Sequence, residues 1–192
     1  MASGQSDSPT GYGFAGSLNW LISGALGGVT GSLIFGGVLW MIDPEVVTTG
    51  IPGIYGVRPS GPTGWLFHLI HGLVLGIVFG YLVTHDPLRR RLETSRDADR
   101  IASFGPTARF ALAGIGYGLT IWAVVWVGRS LPLGPVQRIG ALGFPVHPLV
   151  NAVGHLCYGL VLGTLFSFLI DLSPPDEEAT AQYEDTPDSP GE

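Results

Sequence analysis

Two histidines, His68 and His155, stand 87 residues apart in closely matching settings: His68-Leu69-Ile70-His71-Gly72-Leu73-Val74-Leu75-Gly76 and His155-Leu156-Cys157-Tyr158-Gly159-Leu160-Val161-Leu162-Gly163. Imidazole can donate, accept, ligate and titrate near neutral pH, so such a pair has three chemistries open to it. From two different helices the rings can hold a haem iron axially, which would make the chain a bis-histidine haem b protein moving electrons. They can bind a metal ion with a third group, for which His71 and His147 are the candidates. They can also simply hydrogen-bond across a helix interface. His71 lies one turn beyond His68, but the residue 87 positions on is Tyr158, so the HxxH pair breaks the match. His147, flanked by Pro145 and Pro148, and His85 read as boundary residues.

The elements that position these rings are apolar helices. Of 192 residues, 46% are hydrophobic and 12% charged, about half the charged share of an ordinary globular chain. The apolar residues gather into four runs, at about 17–41, 64–84, 107–128 and 148–170, none containing Asp, Glu or Lys. Each can cross a hydrocarbon core of ~30 Å at 1.5 Å per residue. The Gly-rich start has no basic leader, so the first run is expected to stay as a helix rather than be removed. The fold expected is all-α, a polytopic membrane protein with four transmembrane helices.

Sliding the chain against itself by 87 residues without a gap matches seven of nine positions from His68 to Gly76. The same offset sets Phe79 over Phe166, and Gly27 and Gly31 over Gly114 and Gly118. The expected architecture is therefore two tandem copies of a helical hairpin, related by an axis along the membrane normal. Glycines spaced by four share one helix face. The pairs Gly27/Gly31, Gly72/Gly76, Gly114/Gly118 and Gly159/Gly163 are thus expected to be helix contacts, because association in lipid relies on close backbone approach. His68 and His155 share the faces of the glycines that follow them and are expected to point inward, at matching depth, ~6 Å along their helices when counted from Gly64 and from its match Asn151.

Four spans put both termini and the middle loop on one side. That loop carries Arg89, Arg90, Arg91, Arg96 and Arg100, with Arg109 just beyond, against Arg58, Arg129 and Arg138 opposite. Arg-rich short loops stay inside, which predicts a multi-pass protein of the cell (plasma or inner) membrane with cytoplasmic N- and C-termini. The run at Arg89 to Arg91 is a topology signal that can touch anionic headgroups, and no nucleic acid is expected as partner. The bilayer is the expected partner, with a homo-oligomer or another membrane protein as further candidates. The two outer loops, about 20 residues each and rich in Pro and Gly, suit segments folded back over the bundle mouth, above His68 and His155. Residues 1–16 form an N-terminal cytoplasmic tail, 17–171 the membrane domain and 172–192 an acidic tail too polar to fold. Abundant Asp and Glu with no Lys would suit a high-salt cytoplasm such as that of a halophilic archaeon.

Several chemistries are missing their residues. There is no HExxH, no Gly-x-Ser-x-Gly, no Lys for a phosphate-binding loop and no carboxylate within a span to relay a proton. Cys157 is the single cysteine, which excludes an intramolecular disulfide or a CxxC pair. No catalytic residue is assigned, and the chain is expected not to be an enzyme.

The order of features resembles the YagU-like group of small four-helix inner-membrane proteins, over roughly 24–168: a Gly-rich first span, His68 near the start of the second, Leu131-Pro132-Leu133-Gly134-Pro135 after the third, and Gly154-His155-Leu156 opening the fourth. The resemblance implies an integral membrane protein of uncharacterised activity. The chain departs from that pattern in its acidic tail and in lacking a histidine in the third span. The reading that results is a non-enzymatic structural or interaction bundle centred on His68 and His155. A haem-binding electron-transfer protein and a small channel or carrier are its alternatives.

Overall fold

Helices α1 (Asn19–Ile42), α3 (Gly61–Thr84), α4 (Pro106–Gly128) and α5 (Pro148–Leu169) are 24, 24, 23 and 22 residues long. Each is long and apolar enough to cross a membrane. At 1.5 Å per residue they reach ~33–36 Å, beyond the hydrocarbon thickness. Their glycines do not prevent helix formation, since in lipid each backbone N–H and C=O must be satisfied within the segment. The fold comes from a computed structural model that describes residues 18–84, 105–128 and 148–170. The chain is an all-α, multi-pass membrane protein; its two tails, His85, His147 and the second outer loop lie outside the described residues.

Prolines place the helix starts. Pro106 and Pro148 open α4 and α5, and Pro62 is the second residue of α3. A first-turn proline has no N–H to orphan and a φ already suited to the helix. For this reason α3 begins at Gly61, three residues ahead of the start expected at Gly64. His68 and His155 are then each seven residues past the first residue of their helix, ~10 Å along the axis rather than ~6 Å.

The helices stand in the spatial order α3, α1, α5, α4. The close pairs are α1 with α3, α5 with α4, and α1 with α5, whereas α3 and α4 barely touch. Glycines set each close contact. A Cβ on Gly28 would fall on the Gly72 carbonyl, and one on Gly76 would fall on the Gly24 carbonyl. Across α4 and α5, a Cβ on Gly114 would meet the Gly159 carbonyl, and one on Gly118 the carbonyl of His155. Gly163 faces the Phe110 carbonyl in the same way.

Gly27 and Gly31 do not oppose α3. A Cβ on either would lie 3.0 Å from Leu162 Cδ1 or Tyr158 Cδ2 of α5. Helix α1 is central, so it carries two glycine faces: Gly24 and Gly28 for α3, Gly27 and Gly31 for α5. In contact terms the counterpart of Gly114 is therefore Gly28, one residue away from the Gly27 that a gapless offset pairs with it.

One end of the bundle is closed by a folded segment. Asp43 stops α1, its N–H still bonded to Leu39 O at 2.8 Å, while its Oδ1 accepts the Glu45 N–H at 3.1 Å. A π-helical turn at Val46–Gly50 runs directly into the short helix α2 (Ile51–Ile54). Val46, Val47, Ile51 and Pro52 are buried, although the segment is a connection between spans. It docks where Gly64 has no side chain, because a Cβ there would overlap the Val47 carbonyl. Ser60 N–H bonds Thr48 O at 2.8 Å, and Gly56, at φ 67°, turns the chain back toward α3.

The opposite half of the bundle is filled by aromatic rings. Phe79 and Phe166 meet edge-on with centroids 5.5 Å apart, and Phe110 and Tyr117 extend the cluster at 5.3 and 5.4 Å. Phe79, Leu162 and Phe166 are almost wholly inaccessible. Pairs of this kind add ~0.5–1.5 kcal/mol each beyond burial.

Candidate functional site

Below the cap the helices splay and leave a cavity of about 460 Å³. Its walls are Phe35 and Leu39 of α1, Val46 and Ile51 of the cap, His68, His71 and Leu75 of α3, Ile121 and Val124 of α4, and Asn151, His155 and Tyr158 of α5. The volume falls in the range of pockets that hold drug-sized molecules, which are mostly apolar with a few placed polar groups. Tyr55, Thr120 and Val124 line it while being exposed, so its mouth lies between α3 and α4 beside the cap.

Tyr158 lines the floor, and it and Tyr117 tie α5 and α4 to α3. Tyr158 Oη donates to Gly72 O at 3.1 Å, and Tyr117 Oη donates to Leu75 O at 2.8 Å. Below them sits the Phe79 and Phe166 cluster. Each hydroxyl uses the second lone pair of a carbonyl inside α3, which leaves the helix intact while cross-linking α3 to α4 and α5.

The two principal histidines reach this cavity in different states. His68 is buried, and its Nε2–H donates to Ser32 O on α1 at 2.9 Å. In a neutral ring that leaves Nδ1 as the acceptor. His155 is half-buried; its Nδ1–H donates to Asn151 O one turn earlier in α5 at 2.9 Å, leaving Nε2 as the acceptor. The first bond crosses between helices, and the second is local.

Phe35 contacts both rings edge-on, with centroids 5.7 Å from His68 and 5.0 Å from His155. Its ring fits because Gly154 has no side chain; a Cβ at that position would overlap it. Shared ligation of one iron would need a nitrogen from each imidazole aimed at a common point. His68 Nδ1 and His155 Nε2 are the lone pairs left for such a bond, and the Phe35 ring packs against both imidazoles.

His71 faces the cap. Its Nε2 hydrogen-bonds the Tyr55 hydroxyl, and the two rings stack with centroids 5.7 Å apart. Tyr55 also packs on Phe67 at 4.5 Å. Burial raises the Tyr55 phenol above its usual 10.0, so it is a protonated hydroxyl at neutral pH. Among the described residues there is no cluster of three or more His, Cys, Asp and Glu side chains placed to hold a metal. Cys157 is a half-buried free thiol.

Sequence reasoning missed Ser32, Phe35, Tyr55, Tyr117 and Asn151. Asn151 carried a readable signal, an amide inside an apolar span, and its Oδ1 is buried without a hydrogen-bond partner. Phe35 carried none, because any apolar residue suits its position until Gly154 is seen opposite it. No family model, curated protein or solved structure matches the chain. The likeness to the YagU-like group therefore extends only to a four-helix membrane architecture.

Proposed function

We propose that this chain is a non-enzymatic binding bundle of the cell membrane, which holds a small molecule in the cavity beneath its cap. The observation that carries the reading is that the cavity is blind. It is roofed by Val46 and Ile51 and ends on Tyr158, with the packed rings of Phe79 and Phe166 beyond. A channel would need a path through that plug, and the glycine faces that could have lined one meet backbone instead.

The arginine bias sets the cap on the outer side and both termini in the cytoplasm. The acidic tail and missing Lys suit a high-salt interior. Two hairpins, α1 with α3 and α4 with α5, are read as a duplication with a one-residue shift in the first helix of each. Support comes from Gly28 meeting Gly72 as Gly114 meets Gly159, and from helix starts at Gly61 and Pro148. The surrounding lipid is the partner that the exposed apolar faces require.

Native mass spectrometry of the protein released gently from membrane tests the binding reading. Wild type should carry a small-molecule adduct, and Val124→Trp, which fills the mouth from an exposed position, should lose it. Bare chain from wild type under conditions that retain annular lipid would contradict the reading.

A further inference from the structure

The occupant's chemistry can be deduced from what the cavity wall lacks, a deduction that rests on the binding reading above. Several of its polar groups have already spent their donors. Asn151 Oδ1 is unpartnered but sealed off from the cavity space. His155 has used its proton on Asn151 O, so Nε2 presents a lone pair. Thr120 Oγ1 has donated to Gly116 O at 2.8 Å, Tyr158 Oη to Gly72 O at 3.1 Å, and His68 Nε2–H to Ser32 O at 2.9 Å. A half-buried ring nitrogen that presents only a lone pair calls for a donor. Among the described residues the remaining wall is aliphatic and aromatic, and no Asp, Glu, Lys or Arg lines it.

The route in is equally constrained. The mouth lies between α3 and α4, which scarcely touch. Thr120 and Val124 of α4 line it and are exposed, as lipid-facing residues are. A molecule arriving there comes from the hydrocarbon phase and carries little charge.

We infer that the cavity binds a neutral lipid alcohol, taken laterally from the bilayer, whose hydroxyl donates to His155 Nε2 while its chain lies against Phe35, Leu75 and Ile121. An ether or hydrocarbon of the same length has no proton to give and leaves His155 Nε2 unpaired, whereas an alcohol satisfies it.

The test uses purified full-length protein in phosphatidylcholine vesicles with two photoreactive probes at equal mole fraction, a diazirine-bearing hexadecanol and its methyl ether. Crosslinked peptides are then located by mass spectrometry. The expected result is labelling of α3 and α4 segments lining the cavity by the alcohol, at least tenfold over the ether. His155→Phe should bring the alcohol down to the ether's level, and Val124→Trp should abolish cavity labelling by both. Unchanged melting temperatures would show that each variant is folded. Equal cavity labelling by alcohol and ether would overturn the hydroxyl inference and leave the binding reading standing. If both probes mark only outward faces, the binding reading itself fails.

Discussion

At the scale of single residues, His68 and His155 look equivalent in sequence and differ in what their protons do. His68 bonds a carbonyl of a neighbouring helix, and His155 bonds one within its own. Interhelical hydrogen bonds in membranes are worth ~0.6 kcal/mol on average and up to ~1.7. His68→Phe should therefore lower the unfolding free energy in detergent by about 1 kcal/mol, beyond any packing change, and loosen α1 from α3. His155→Phe should cost less, because α5 keeps its own backbone ladder, and should act on ligand binding instead. Equilibrium unfolding followed by tryptophan fluorescence separates the two; a larger loss for His155→Phe would contradict the assignment. Tandem similarity made both histidines visible in the sequence. Their division of labour was not visible, since it depends on Ser32 and Phe35, which carry no pattern.

At the scale of elements, the glycines sort into two kinds. Gly28, Gly72, Gly114 and Gly159 face backbone atoms of a neighbouring helix, whereas Gly37 and Gly116 have open space where a Cβ would go. Gly28→Ala and Gly159→Ala should force helices apart and cost roughly 1–3 kcal/mol or more each. Gly37→Ala and Gly116→Ala should be neutral or stabilise by ~0.5–1 kcal/mol, as alanine loses less backbone freedom. Thermal melts of the four variants would check the division, and comparable losses in all four would refute it. The period of four was legible, but it could not say which neighbour each face meets. A helix in the centre of a row needs two faces, and Gly24/Gly28 and Gly27/Gly31 supply them at an angular separation of about 60°. The cap makes a parallel case. Its Pro and Gly content suggested a folded-back segment, but its anchor at Gly64 depends on a carbonyl from a different element. Gly64→Val should undock it, seen as faster hydrogen exchange across 46–54 with the spans still protected. Protection equal to wild type would count against docking at Gly64.

At the scale of the whole molecule, the row α3, α1, α5, α4 explains why a four-helix membrane protein has a cavity at all. Three interfaces close on glycine, and the fourth is bridged mainly at Tyr117 and Phe79, so the capped half stays open toward lipid. Four apolar runs were enough to read the spans, and the helix starts were off by three residues at most, at α3. The open seam was not readable, because it depends on which helix pairs lack small facing residues. The central claim is that the cavity opens to the bilayer and is blind toward the far end. The most direct measurement is sided thiol labelling of Thr120→Cys in a Cys157→Ser background, in vesicles of known orientation. The account predicts rapid modification by a membrane-partitioning maleimide and none by a sulfonated maleimide supplied from the side where α3 ends at Thr84. Modification by the charged reagent from that side would reveal a continuous aqueous path and contradict it.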